Sequence, residues 1–82
     1  MMNVSFNRKT QGVYRVRVNT SLNLRSQPST DSTVLASLKN RAVVIVTGYV
    51  SGEFYSCIYI SGDSLFSGFV SKNYIKKEVE LL

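Results

Sequence analysis

The sequence predicts an all-β fold: a small barrel of about five to seven short strands, with one helical turn near the C-terminus. Three observations carry that prediction. Short runs rich in Val, Ile, Tyr and Phe recur at intervals of roughly 8–12 residues, separated by Gly, Asn, Asp and Ser. No segment holds a helical hydrophobic period. The 82 residues are enough for one domain, and 44% hydrophobic with 18% charged residues is a globular composition.

Residues 1–12 are polar and lack a sustained period, so they are expected to form an N-terminal arm or linker, with Val4 and Phe6 as its only apolar anchors after the methionines; the domain proper spans 13–82. Val13 to Val18 alternates, with Tyr14 and the valines set against Arg15 and Arg17, which predicts a strand with one wet face. Asn19-Thr20-Ser21 is a turn, and Leu22 to Arg25 alternates again. Ser26 to Thr33 surrounds the single proline, Pro28, and its Ser, Thr and Asp side chains suit an ordered loop. Val34 to Leu38 is a short strand, followed by a Lys39-Asn40-Arg41 turn. Ala42 to Gly48 is the most β-prone segment, because branched side chains pack well on a pleated surface. Ser51-Gly52-Glu53 turns into a strand over Phe54 to Ile60, and Ser61-Gly62-Asp63-Ser64 turns that into Leu65 to Val70. Ser71 to Tyr74 reads as the helical turn and Ile75 to Leu82 as a last strand.

Charge and residue inventory exclude several functions. Ten Lys and Arg against five Asp and Glu give a net charge of +5, which favours anionic partners: nucleic acid, acidic lipid or an anionic wall polymer. The basic residues are dispersed, only Arg8-Lys9, Arg15/Arg17 and Lys76-Lys77 lying close together, and no run of five or six like charges appears, which disfavours a nucleic-acid arm. No stretch approaches the roughly 18–20 apolar residues of a membrane helix, so no membrane partner is expected. The first twelve residues lack the apolar centre of a secretory signal. Two locations stay open: the cytoplasm, or the extracellular wall, reached within a larger chain or by phage lysis. One cysteine and no histidine leave no intrachain disulfide, no zinc cluster and no Ser-His or Cys-His pair. Asp31, Glu53 and Asp63 fall in separate loops or turns, so no carboxylate pair is fixed for acid–base work. A non-enzymatic chain without a cofactor is expected.

Four segments in order carry a resemblance. Leu22-Asn23-Leu24-Arg25-Ser26-Gln27-Pro28-Ser29 with Val34 to Leu38, then Val43 to Gly48, then Gly52-Glu53-Phe54-Tyr55, then Gly68-Phe69-Val70-Ser71-Lys72-Asn73-Tyr74-Ile75 resemble the successive motifs of bacterial SH3-like domains. The resemblance spans about Val13 to Lys76. It departs at Gln27 and Arg41, where the family often has Gly, at Phe54, where it usually has Trp, and at Cys57, where it has Val.

The resemblance implies a non-catalytic module binding bacterial cell wall, as at the ends of phage endolysins and autolysins, with a peptidoglycan peptide or anionic wall polymer as partner. The alternative is an intracellular protein-interaction or self-association module. The family groove is expected between the Ser26–Thr33 and Ser61–Ser64 loops, with Tyr14, Asn23, Arg25, Phe54 and Tyr74 as candidate ligand-binding residues. For Arg25 two roles are open: clamping a ligand anion, or bonding loop carbonyls. On the Phe54–Ile60 strand, Tyr55, Cys57 and Tyr59 share one face, and Phe54, Ser56, Ile58 and Ile60 the other. Cys57 is expected inward and inert.

Overall fold

Alternation of apolar and polar residues produces an antiparallel sheet in the computed structural model, which describes residues 3–80. Its strands are β1 (Ser5–Phe6), β2 (Gly12–Val16), β3 (Ser21–Arg25), β4 (Val34–Lys39), β5 (Val43–Ser51), β6 (Phe54–Ser61), β7 (Ser64–Ser71) and β8 (Ile75–Glu80). Two 3-10 turns, Arg8–Thr10 and Lys72–Tyr74, complete the described residues. The expected helical turn before the last strand is therefore present, and a second one precedes β2. The last strand was expected to reach Leu82; Leu81 and Leu82 lie outside the described residues, as do Met1 and Met2.

The strand order is β4-β3-β7-β6-β5-β2-β8, with β1 paired to β5 off this path. The centre is the β5–β6–β7 meander. Both of its turns have two residues, between Ser51 and Phe54 and between Ser61 and Ser64. Each begins with a glycine at positive φ, Gly52 (57°) and Gly62 (58°), as tight hairpins of matching twist require.

The sheet curls until β3 meets β7. Leu22 and Leu24 of β3 and Leu38 of β4 thereby enter one core with Val16, Val44, Val46, Cys57 and Val70. The β3–β7 pairing is a single register position, Arg25 opposite Phe69. Gly68 makes that approach achievable: a Cβ there would land on the Arg25 carbonyl oxygen and press Leu35 Cδ1 at 3.2 Å.

Residues 5–10 lie along β5. Ser5 and Phe6 pair with Val50 and Tyr49, and the Phe6 and Tyr49 rings meet edge to face at 5.1 Å. Asn7 N donates to Gly48 O (2.8 Å) and Gln11 Nε2 to Thr47 O (2.9 Å). Gly48, at φ 109°, interrupts the β5–β6 register, and a Cβ on it would lie 2.6 Å from Phe6 Cε1. Val4 and Phe6 themselves stay about half exposed.

Cys57 points inward and is fully buried, as the family resemblance implies. Burial pushes its thiol up to about 12. The folded state then keeps a proton that the unfolded chain releases above the ordinary thiol range of about 8.5, so stability falls as pH rises from there towards 12.

Two outcomes follow from the core. Gly68→Ala should cost about 1–3 kcal/mol through overpacking at the β3–β7 junction, read as a lower urea midpoint at unchanged slope; a neutral effect would show that the junction has slack. Between about pH 9 and pH 10, wild-type stability should fall by no more than about 1.4 kcal/mol per pH unit from the thiol. Cys57→Ala should remove that slope, whatever it costs at neutral pH.

Candidate functional site

The polar turns that interrupt the strands converge at one end of the sheet. Arg17 N donates to Tyr74 O (2.7 Å), tying the β2–β3 connection to the second 3-10 turn. Val18 N donates to Asn40 Oδ1 (3.0 Å), tying the same connection to the β4–β5 turn. Lys72 N donates to Glu53 O (2.8 Å) and Asn73 Nδ2 to the Glu53 carboxylate, fixing the 3-10 turn to the β5–β6 hairpin. Ser71 Oγ caps that turn by accepting from Asn73 N.

Between these ties runs an open groove of about 840 Å³. Val18 and Leu22 supply apolar surface, Phe54 and Tyr74 aromatic walls, and Asn23, Thr30 and Ser71 polar groups. Tyr74 is 50% exposed and Phe54 half-buried, so both rings present a face to solvent. The volume lies within the roughly 300–1,000 Å³ of small-ligand sites. A strip of two aromatics, hydroxyls and amides suits a short polar chain, which stacks its flat or apolar parts and hydrogen-bonds its backbone.

Of the five residues picked from sequence, Asn23, Arg25, Phe54 and Tyr74 come together along this groove. Tyr14 does not. It is 6% exposed, its hydroxyl donates to Thr10 O (2.7 Å), and its ring meets Tyr55 edge to face at 6.1 Å. Burial first, then the neighbouring Tyr55 and Glu80 charges, raise its pKa, as befits a core phenol. The correction has a simple cause: β2 alternates, and Tyr14 shares the inward face with Val16. The Ser61–Ser64 turn is likewise absent from the groove lining; the β2–β3 connection and Asn40 take the place expected for it.

Arg25 Nη1 donates to Ser32 O (2.9 Å), so one arm of its guanidinium holds the 26–33 loop. Ser26 N to Thr33 O (2.9 Å) and Ser32 Oγ to Gln27 O (3.0 Å) and Ser29 O (2.7 Å) order that loop from within. Arg25 thus bonds a loop carbonyl while lining the groove floor beside Asn23.

Sequence reasoning missed Arg17, Asn19 and Asn40 as lining residues. Arg41 is the other surprise. It takes φ 75°, the left-handed region where the family often has Gly, at a cost of about 1–2 kcal/mol for a residue with a Cβ. Its N–H donates to Val16 O (2.7 Å) and Ala42 N to Lys39 O (3.0 Å), which hold the turn closed.

A family model described as bacterial SH3 domain matches residues 20–76, more than half of the chain and all of the groove's lining except its first three residues. No curated protein and no solved structure matches the chain. Segment order, curled antiparallel sheet and family match agree: the chain belongs to the bacterial SH3 domain family.

Proposed function

We propose that this chain is a non-catalytic module that binds bacterial cell wall, holding a short peptidoglycan peptide along the Phe54–Tyr74 groove. The observation that carries the reading is the groove itself: an open channel in which two aromatic side chains and several uncommitted polar groups converge. Stem peptides and cross-bridges are narrow, polar and flexible, and match such a channel better than a deep pocket would. The net charge of +5 adds attraction to an anionic wall. The groove brings no nucleophile–base pair together, in keeping with targeting rather than cleavage. As a wall-bound module, the chain acts outside the cytoplasm, and we assign it the role of directing a lytic or remodelling activity to its substrate.

A second reading, self-association or binding of another protein, draws on the sheet's outer face. Val79, Val13, Ile45 and Ile58 form one cross-strand row there, with Ile60 opposite Leu65 beside it. Ile60 and Leu65 are 58% and 64% exposed. Sedimentation of the purified chain decides its weight: a dimer that Ile60→Lys dissociates, together with failure to bind walls, would replace the wall reading with this one.

Tyr74→Ala tests the groove directly. It should weaken pelleting with purified walls by about 5–30-fold, the range for a central aromatic contact. Folding stability should change little, because the Tyr74 carbonyl that accepts from Arg17 is backbone and survives the substitution. Val44→Ala, in the core, should instead cost about 2 kcal/mol of stability without altering the groove. Unchanged pelleting by folded Tyr74→Ala would move the site elsewhere.

A further inference from the structure

Beside the groove, and sharing Arg17 and Asn40 with it, is a smaller depression lined also by Arg15, Arg41 and Glu78. Three guanidinium groups face one carboxylate there. Glu78 is committed to Arg15, at Nε–Oε1 3.0 Å, and Arg15 Nη1 donates to Arg41 O (3.0 Å). Arg15 is therefore satisfied on two sides. Among the described residues neither Arg17 nor Arg41 has an acidic partner within ion-pair distance. Asn40 Oδ1 is spent on Val18 N, so its amide Nδ2, which has no partner among the described residues, is left to donate.

Three guanidinium groups gathered in a concavity with a single carboxylate leave an excess of positive charge that repels itself, and an anion entering between them relieves that repulsion. Guanidinium forks present paired N–H donors matched to the oxygens of a carboxylate or phosphate. The left-handed backbone at Arg41 belongs to the same picture: a glycine would fit that turn without strain, yet the residue present carries a positive charge to the edge of the depression.

We infer that Arg17 and Arg41, with the Asn40 amide, form an anion site continuous with the groove. It takes one carboxylate or phosphate oxygen set of the ligand whose chain lies along Phe54 and Tyr74. The inference deepens the wall-binding reading and rests on it for the identity of the ligand, though not for the existence of the site. Arg17 borders both depressions, so it joins the two halves of the surface.

The test uses the purified chain and small probes first. Titration with inorganic phosphate and with acetate, followed through arginine Nε–H resonances, should move Arg17 and Arg41 well beyond Arg8, an exposed arginine on the first 3-10 turn. Equal movement at all three would overturn the site, whatever the walls do. The second stage compares three ligands: a stem peptide with a free C-terminal carboxylate, the same peptide amidated, and a short glycerol-phosphate oligomer. Arg17→Gln and Arg41→Gly should each weaken the anionic ligand by about 3–10-fold, and Arg8→Gln, which removes the same charge, should not. Selective loss for the free-carboxylate peptide names a peptide terminus as the anion; loss for the oligomer names a phosphate polymer. Arg41→Gly should fold at least as stably as wild type, so its loss of binding cannot be blamed on unfolding. If neither peptide nor oligomer binds while phosphate still shifts Arg17 and Arg41, the anion site stands and the wall reading falls. If walls still pellet the chain and the two arginines respond no more than Arg8, the site falls and the wall reading stands.

Discussion

Everything at the functional end depends on β3 reaching β7. One register position, Arg25 opposite Phe69, joins the two halves of the sheet, and Gly68 gives the backbones room to touch there. Without that contact Leu22, Leu24 and Leu38 would lose their share of the core. Arg25 therefore has a double position: its main chain closes the sheet, while its side chain orders the loop above. In so small a domain, whose apolar core is built mostly of valines and leucines, such a junction matters more than any exposed ion pair.

The binding end is assembled from turns together with β3 and the ends of β6 and β7. The β2–β3 connection, the β4–β5 turn and the second 3-10 turn are each short; the first contributes Arg17 to Thr20, the others Asn40 and Tyr74. The Arg17 amide ties the β2–β3 connection to the 3-10 turn and the Val18 amide ties it to the Asn40 side chain, while the Lys72 amide ties the 3-10 turn to the β5–β6 hairpin. The sheet supplies rigidity and part of the lining, and the turns supply the rest. The left-handed Arg41 is where these two demands meet, since the turn favours a residue without a Cβ and the surface there carries a guanidinium.

The strands were legible because a period of two leaves a strong trace: Tyr14 and Val16 against Arg15, and Leu22 and Leu24 against Asn23 and Arg25, alternate in the sequence itself. The unbroken apolar run Val43 to Val46, by contrast, announces a strand but not which of its faces turns inward. For Cys57 alternation gave only its face-mates, Tyr55 and Tyr59; that their face turns inward came from the family resemblance. Tyr14 was legible too, by that rule, since it alternates against Arg15 and Arg17; expecting it in the groove gave the family pattern more weight than the strand's own phase. The β1 pairing was hidden because it depends on the Gly48 irregularity far along the chain, and nothing in Ser5-Phe6 announces it. The pairing of Arg17 with Asn40 in one surface was hidden for a related reason. It rests on a long-range bond from a turn amide to an asparagine, and local patterning carries no record of that. Asn23, Arg25, Phe54 and Tyr74 could be named from sequence because each lies in a motif; Arg17, Asn19 and Asn40 could not.

The two-residue turns of the meander have a kinetic consequence. β5, β6 and β7 can zip by local contacts, with little loop entropy to overcome, whereas the β3–β7 junction joins residues distant in sequence and must wait for the meander to exist. The groove, bounded by elements on both sides of that junction, is completed only at the end of this order of assembly and is the first surface lost when the junction opens. A ligand lying across it braces the slowest-formed contact in the molecule. Occupancy should therefore slow unfolding more than it speeds folding, making the occupied module kinetically durable.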